Sequence, residues 1–192
     1  MNNQAVLLSY LQTQLALDNE TACFCASLFS FAEYKAGTQI IRVGEMTDSM
    51  QLILKGFVRA YYTDENGCEI TKCFAKEFEW CGFYSYLSDE SSPFSVESLE
   101  ETVAACIKTQ DIRMLSTKSP VMQEKINTLI NKAFISVDKK NYAFANKDAQ
   151  KRYLDFAKEN PEIVRRAKQE HIASYLGITP SSLSRLKREM KV

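Results

Sequence analysis

The spacing of apolar positions along this 192-residue chain switches from a helical period to a strand period and back. Residues 4–17 and 18–31 read as two short helices, the second opening on Asp18. From Tyr34 the apolar runs shorten and fill with Ile, Val, Leu and Tyr, and glycines at 37, 44, 56 and 67 separate them. That alternation predicts strands. Asn66-Gly67, between VRAYYT and EITKCF, predicts a hairpin, because both residues accept the positive φ that a tight turn between twisted strands requires. TVAACIKT, residues 102–109, predicts a last strand. Several short strands at this spacing point to a small barrel or roll.

Beyond Pro120 the helical period returns. Met122, Ile126, Leu129, Ile130, Ala133 and Val137 define one apolar face, which Phe134 and Tyr142 broaden. One roll covers less apolar surface than this helix offers, so a homodimer seam along those residues is expected. Asn146-Lys147-Asp148 reads as a break, with Asp148 capping a helix through Lys158 and Glu159-Asn160-Pro161 ending it. The fold class expected is α+β, in three parts: a β-roll with N-terminal helices over residues 1–117, a dimerisation helix over 118–146 and a small helical domain over 147–192.

Charge sharpens that division. The chain carries 24 basic and 24 acidic residues, so net charge argues neither for nor against a polyanionic partner. Residues 147–192, however, hold 11 basic and 6 acidic residues, against 13 and 18 in the first 146. A basic end on an acidic body is expected where one part touches nucleic acid and the other does not. No basic residue precedes Lys35 and no apolar run spans a bilayer, which points to a cytoplasmic protein without a membrane partner. The six cysteines then read as free thiols.

The C-terminal segment QEHIASYLGITPSSLSRLKREM carries the most specific pattern. Ile172, Ala173 and Leu176 give one short apolar face, Gly177 turns the chain, and Thr179-Pro180 caps and opens a second helix. On that helix Leu183, Leu186 and Met190 fall to one side, Ser181, Ser184, Arg185 and Arg188 to the other. This is a helix-turn-helix pattern, with the second helix offering Ser and Arg to a major groove. A plain helical hairpin with a solvated basic face is the blander reading of the same residues.

The segment from Glu170 to Glu189 resembles the helix-turn-helix signature of the Crp/Fnr regulators, the cyclic-AMP receptor family. KAGTQIIRVGE, MQLILKGFVRAYYTDENG and the long helix are similar to the remainder of that family. The resemblance implies a cyclic-nucleotide-binding-like double-stranded roll, a dimer-forming helix, and a DNA-binding domain acting on double-stranded DNA, with RNA polymerase as a further partner. By that match Arg185 reads a base edge, Ser181 and Ser182 add base or phosphate contacts, and Lys168, Gln169 and Arg188 hold the backbone. Where well-known members place charged residues at the start of the recognition helix, this chain has Pro180 and Ser181, which implies a different operator. The short PEIVRRAKQ segment and the end at Val192 imply a reduced or absent wing.

The sensor departs from the family further. Its cyclic-nucleotide binders carry Gly-Glu and then Arg in a phosphate cassette, but residues 78–102 contain neither, and Gly44-Glu45 lies earlier, where a turn is expected. No basic residue stands between Lys76 and Lys108, while Glu77, Glu79, Asp89, Glu90, Glu97, Glu100 and Glu101 do. Such a field repels a phosphodiester, so control by cyclic AMP is not expected. Cys23 and Cys25 diverge on a helix, and Cys68 and Cys73 point to opposite faces of a strand, which argues against an iron–sulfur cluster. The single histidine, His171, argues against haem. Cys81 and Cys106 read as core thiols or redox sensors. Phe78, Trp80, Phe83, Tyr84, Tyr86 and Phe94 instead suggest a candidate effector pocket with aromatic walls, or a filled core. The chain is expected to be a homodimeric DNA-binding regulator and not an enzyme, since no nucleophile–base pair or paired carboxylates stand out. The alternative is a ligand-binding regulatory module whose basic end contacts protein.

Overall fold

The structure is a computed structural model and describes residues 2–189; Met190, expected on the apolar side of the last helix, lies outside them. In chain order the elements are α1 (Asn3–Thr13), α2 (Asn19–Ser27), β1 (Phe29–Tyr34), β2 (Gln39–Ile41), β3 (Ser49–Lys55), β4 (Val58–Thr63), β5 (Glu69–Ala75), β6 (Trp80–Cys81), α3 (Phe83–Ser88), β7 (Ser95–Ser98), β8 (Thr102–Lys108), α4 (Thr109–Lys118), α5 (Pro120–Asn146), α6 (Ala149–Glu159), α7 (Pro161–Arg166), α8 (Gln169–Tyr175) and α9 (Pro180–Glu189).

Two compact units form. One holds the residues up to 60 together with 75–130, the other residues 61–74 together with 131 onward. Eight strands make two four-stranded sheets, ordered β1-β8-β3-β6 and β2-β7-β4-β5. Side-chain alternation sorts the strand residues. Ile53 of β3 and Ala104 of β8 join Ile41, Val58, Ala60, Phe94 and Val96 in one apolar cluster between the sheets. Met50, Leu52 and Leu54, with Ala105 and Ile107, face the other way and meet Leu7, Leu11, Ala22, Cys25, Ile112, Leu115 and Met122 from the flanking helices. Gly56 makes the β3–β4 turn with φ +106, and a Cβ there would sit 2.4 Å from the Thr102 hydroxyl oxygen. Only glycine fits both demands.

The second helix is shorter than the apolar pattern suggested. Asp18 does cap it, accepting from the Thr21 N–H at 2.9 Å, but Phe29–Phe31 pair as strand with Ile107, Cys106 and Ala105. Alternating Phe-Ser-Phe fits a pleated strand as readily as a helix end, and the β8 edge captures it. α4 is an additional helix, inserted between the last strand and the long helix.

The long helix begins at Pro120 as its period predicts, and the face expected at a homodimer seam is divided. Met122 is buried, and Ile126 and Leu129 pack against the same apolar layer of the first unit. Those side chains are covered by the chain's own roll. Further along, Ala133, Phe134, Ile135 and Val137 are exposed, Phe134 at 70%.

Candidate nucleic-acid interface and sensor roll

In the second unit, α6 starts on Asp148, whose carboxylate accepts from the Lys151 N–H at 2.8 Å. Tyr153, Phe156 and Ile163 of α6 and α7 are buried, as are Ile172, Ala173, Leu176 and Leu183 of the two helices that follow. α8 ends in a Schellman motif: the Ile178 N–H donates to the Ala173 carbonyl at 3.0 Å and the Gly177 N–H to that of Ser174 at 3.1 Å. Gly177 sits at φ +66, against the Phe144 ring. The left-handed residue that closes this motif is normally glycine. The chain then re-enters a helix at Thr179, whose hydroxyl accepts from the Ser182 N–H at 3.1 Å, with Pro180 in the first position. Local capping and turn chemistry thus sets a helix, a tight glycine turn and a capped second helix.

α9 is two-sided. Leu183 is fully buried and Leu186 half-buried, while Ser181, Ser184, Arg185 and Arg188 are exposed. Arg185 has only a loose approach to Glu189, 3.9 Å, and remains 66% exposed at its side chain. Ser182 is half-buried, and Thr179 donates to its hydroxyl at 2.9 Å, so it belongs partly to the cap. Lys187 turns inward, 5.9 Å from the Tyr153 ring. Lys168 and Gln169 are exposed at the start of α8, with Lys168 3.6 Å from Glu170. His171 is buried, a packing position.

Three residues that hold this arrangement gave no sequence signal. The guanidinium of Arg152 donates twice to the Leu176 carbonyl, at 3.2 and 3.0 Å, and once to that of Lys147 at 2.8 Å, fixing the end of α8. Ser174 ties α8 to the β4–β5 hairpin. Lys140 of α5 donates to the Thr71 and Lys72 carbonyls at 3.3 and 2.8 Å, with the Tyr175 ring 4.1 Å away. Burial pushes its ammonium down to about 8. Each is a polar side chain whose partner lies far off in sequence or in a loop.

In the first unit the six aromatic residues proposed to share a pocket separate. Phe94 and Tyr84 meet edge-on, centroids 5.9 Å apart, against the cluster between the sheets. Trp80, Phe83 and Tyr86 pack in the layer under the helices. The Trp80 N–H donates to the Tyr10 hydroxyl at 2.8 Å. Phe78, at φ +67, is exposed and stacks on Tyr10, 5.9 Å between centroids. The strand-and-turn geometry of residues 78–86 sends neighbours to opposite faces.

The space between the sheets offers a cyclic phosphodiester little. Val58 and Ala60 face the inter-sheet cluster, so Arg59 between them points away, and its Nε lies 2.8 Å from the Glu97 carboxylate. Gly44-Glu45 forms a turn, with Gly44 at φ +83. The roll's polar row consists of Gln51, which pairs with Cys81 on one side and Cys106 on the other, and Tyr34, which donates to the Gln51 amide oxygen at 3.1 Å. Burial pushes Tyr34 up to about 12 and raises the Cys106 and Cys25 thiols as well. A raised thiol carries less thiolate and reacts slowly. Among the described residues no three His, Cys, Asp or Glu side chains gather as metal ligands, and no helix is long and apolar enough to cross a membrane.

Comparison with known proteins agrees with this geometry. The cyclic nucleotide-binding domain family matches residues 31–119. No curated protein matches the sequence significantly. Among solved structures, a Crp/Fnr-family protein from Eubacterium rectale is similar at a TM-score of 0.74 and 19% identity, over 95% of this chain and 88% of that one. FixK2 from Bradyrhizobium japonicum gives 0.73 and 18%, over 85% and 84%. The c-di-GMP-responsive regulator CLP from Xanthomonas campestris gives 0.72 and 15%, over 91% and 92%. The chain therefore shares the fold of these structures, and its residues 31–119 match the cyclic nucleotide-binding domain family.

Proposed function

We propose that this chain is a transcriptional regulator that reads double-stranded DNA through α9 and acts as a homodimer paired along α5. The observation that carries the reading is the two-sidedness of α9. Its apolar side is buried on α8, and its other side holds Ser181, Ser184, Arg185 and Arg188 in solvent. Arg185 is assigned to a base edge, where its fork matches guanine O6 and N7. Lys168, Gln169 and Arg188 are assigned to the phosphate backbone, and Ser181 and Ser182 to the entry of the helix into the groove. The exposed Phe134 and Val137 support pairing along the second half of α5. The division into residues 1–117, 118–146 and 147–192 is retained as the functional one: sensor, dimer helix and DNA reader.

The acidic, arginine-free stretch between Lys76 and Lys108 supports control by something other than a cyclic nucleotide. Selection of sites from a random duplex library with the purified chain tests the reading. It predicts an inverted repeat whose half-sites lie about 34 Å apart, one helical turn. Enrichment of no sequence, at low and moderate salt alike, contradicts it.

A further inference from the structure

The six thiols divide by exposure. Cys25 is buried, Cys81 and Cys106 are half-buried, and Cys23, Cys68 and Cys73 are exposed. What surrounds an exposed thiol decides which reagents reach it and how fast it reacts. Cys23 lies on α2 one turn after Glu20. Cys68 follows the acidic pair Asp64-Glu65 and precedes Glu69, and its N–H donates to the Asp64 carboxylate at 2.8 Å.

Cys73 stands among cations instead. The Lys140 ammonium donates to the Lys72 carbonyl at 2.8 Å and to that of Thr71 at 3.3 Å. The peptide that joins Lys72 to Cys73 is planar, so that carbonyl oxygen lies about 3 Å from the Cys73 Cα. The ammonium is thereby held within about 6 Å of the residue that bears the thiol. Thiolate and ammonium attract each other, opposing the effect of burial on Lys140, and Lys72 is a second cation at the same place. The Tyr175 ring lies 4.1 Å from the ammonium, with Glu159 as the acidic group near that ring. Thr71 shares Cys73's side of β5, as alternate strand residues do. Its side chain is 1% exposed, and its hydroxyl has no hydrogen-bond partner among the described residues.

We propose that Cys73 is a thiol–disulfide exchange site for small anionic disulfides, with Lys140 and Lys72 attracting the reagent and Lys140 favouring the thiolate. The Cys73 sulfur attacks one sulfur of the reagent and a new S–S bond forms. The reagent's own S–S bond breaks, and the departing thiolate carries off the electron pair and takes a proton from water. Cys73 is oxidised and the reagent reduced, and excess thiol reverses the step. β5 is the edge of its sheet. An adduct therefore adds bulk and charge where Lys140 of α5 and Ser174 of α8 hold that edge. Nothing in this chemistry depends on α9 or on DNA.

The full chain is incubated at pH 7 with glutathione disulfide, which is anionic, and separately with cystamine, which is cationic. Peptide mass mapping then follows each cysteine. Glutathione disulfide is expected to modify Cys73 about fivefold or more faster than Cys23 or Cys68, reversibly with dithiothreitol. Its advantage over cystamine should be larger at Cys73 than at Cys68. Lys140→Met should slow the reaction at Cys73 about threefold or more and leave Cys23 unchanged. Lys140→Arg, which keeps the cation, should restore most of the rate, and an unmodified Cys25 shows that each variant stays folded. Even modification of the three exposed thiols, or Cys23 or Cys68 reacting first, overturns the site. An advantage of glutathione disulfide no larger at Cys73 than at Cys68 in the wild-type chain overturns the cationic assignment.

Discussion

Ser174 and Thr71 lie 103 residues apart in sequence and are joined directly: the Thr71 N–H donates to the Ser174 hydroxyl oxygen at 2.9 Å. The same hydroxyl donates onward to the Glu69 carbonyl at 3.0 Å. One side chain of the first motif helix thus occupies the backbone groups of β5 as a strand neighbour would. Phe74 continues the contact, 5.7 Å from the Tyr175 ring, which in turn lies 4.9 Å from that of Phe156. The β4–β5 hairpin tip and α8 are therefore one packed body.

Ser174→Ala removes both bonds and leaves the Thr71 amide without this acceptor. A loss of about 1 kcal/mol is expected. Hydrogen exchange at Thr71 checks it, and the amide should exchange faster in the variant while those of β3 are unchanged.

Lys140 makes the same body sensitive to pH. Its folded-state value, about 8, lies below the ordinary 10.5 because burial disfavours the ammonium, with the neighbouring Lys72 adding to the depression and Cys73 opposing it. The folded state thus binds fewer protons than the unfolded one between those values, and stability rises with pH across that window. Lys140→Met should remove the rise. After allowance for solvent screening the difference is on the order of 1 kcal/mol, and denaturant midpoints of both chains at pH 7.5 and 9.5 measure it.

Gly177→Ala should destabilise by about 1–2 kcal/mol or more, since an L-residue at this positive φ is strained. Its Cβ would also lie 2.7 Å from the Phe144 ring. Urea unfolding followed at the second unit checks this. Gly67→Ala, at similar φ with open space around its Cβ, isolates the backbone part of the effect.

Much of this was legible in the sequence where chemistry is local. The Asp148 and Thr179 caps and the Gly177 turn depend on residues within a few positions and form as expected, as does the hairpin at Asn66-Gly67, although only Gly67 takes a positive φ there and the turn closes from the Gly67 N–H to the Asp64 carbonyl at 3.0 Å. What escaped depends on distant partners. Nothing around Phe29 says that β8 will claim it, and α4 holds only Ile112 and Leu115 as buried markers in a polar run. The apolar face of α5 is periodic throughout, yet period alone cannot tell Met122, covered by the roll, from Phe134, exposed to solvent. The aromatic cluster misled for a related reason. Residues near in sequence on a strand and a turn alternate faces, so Trp80 and Phe94 line different spaces.

For the proposed dimer, the decisive side chains are those the roll does not cover. Phe134→Lys combined with Val137→Lys should shift the sedimenting species from dimer to monomer, while a change at Met122 should lower stability without that selectivity. A chain that is monomeric before any substitution contradicts pairing along α5.

The central claim is that α9 reads base sequence through Arg185. The most direct measurement is the ratio of affinities for the selected duplex and a scrambled duplex, at one fixed salt concentration, for the wild-type chain and Arg185→Ala. Loss of a bidentate base contact is expected to cost about 1–3 kcal/mol of discrimination. The ratio should therefore fall by about fivefold or more, with binding to the scrambled duplex reduced far less. An unchanged ratio, with both affinities reduced equally, would contradict base reading by Arg185 and leave it a phosphate contact.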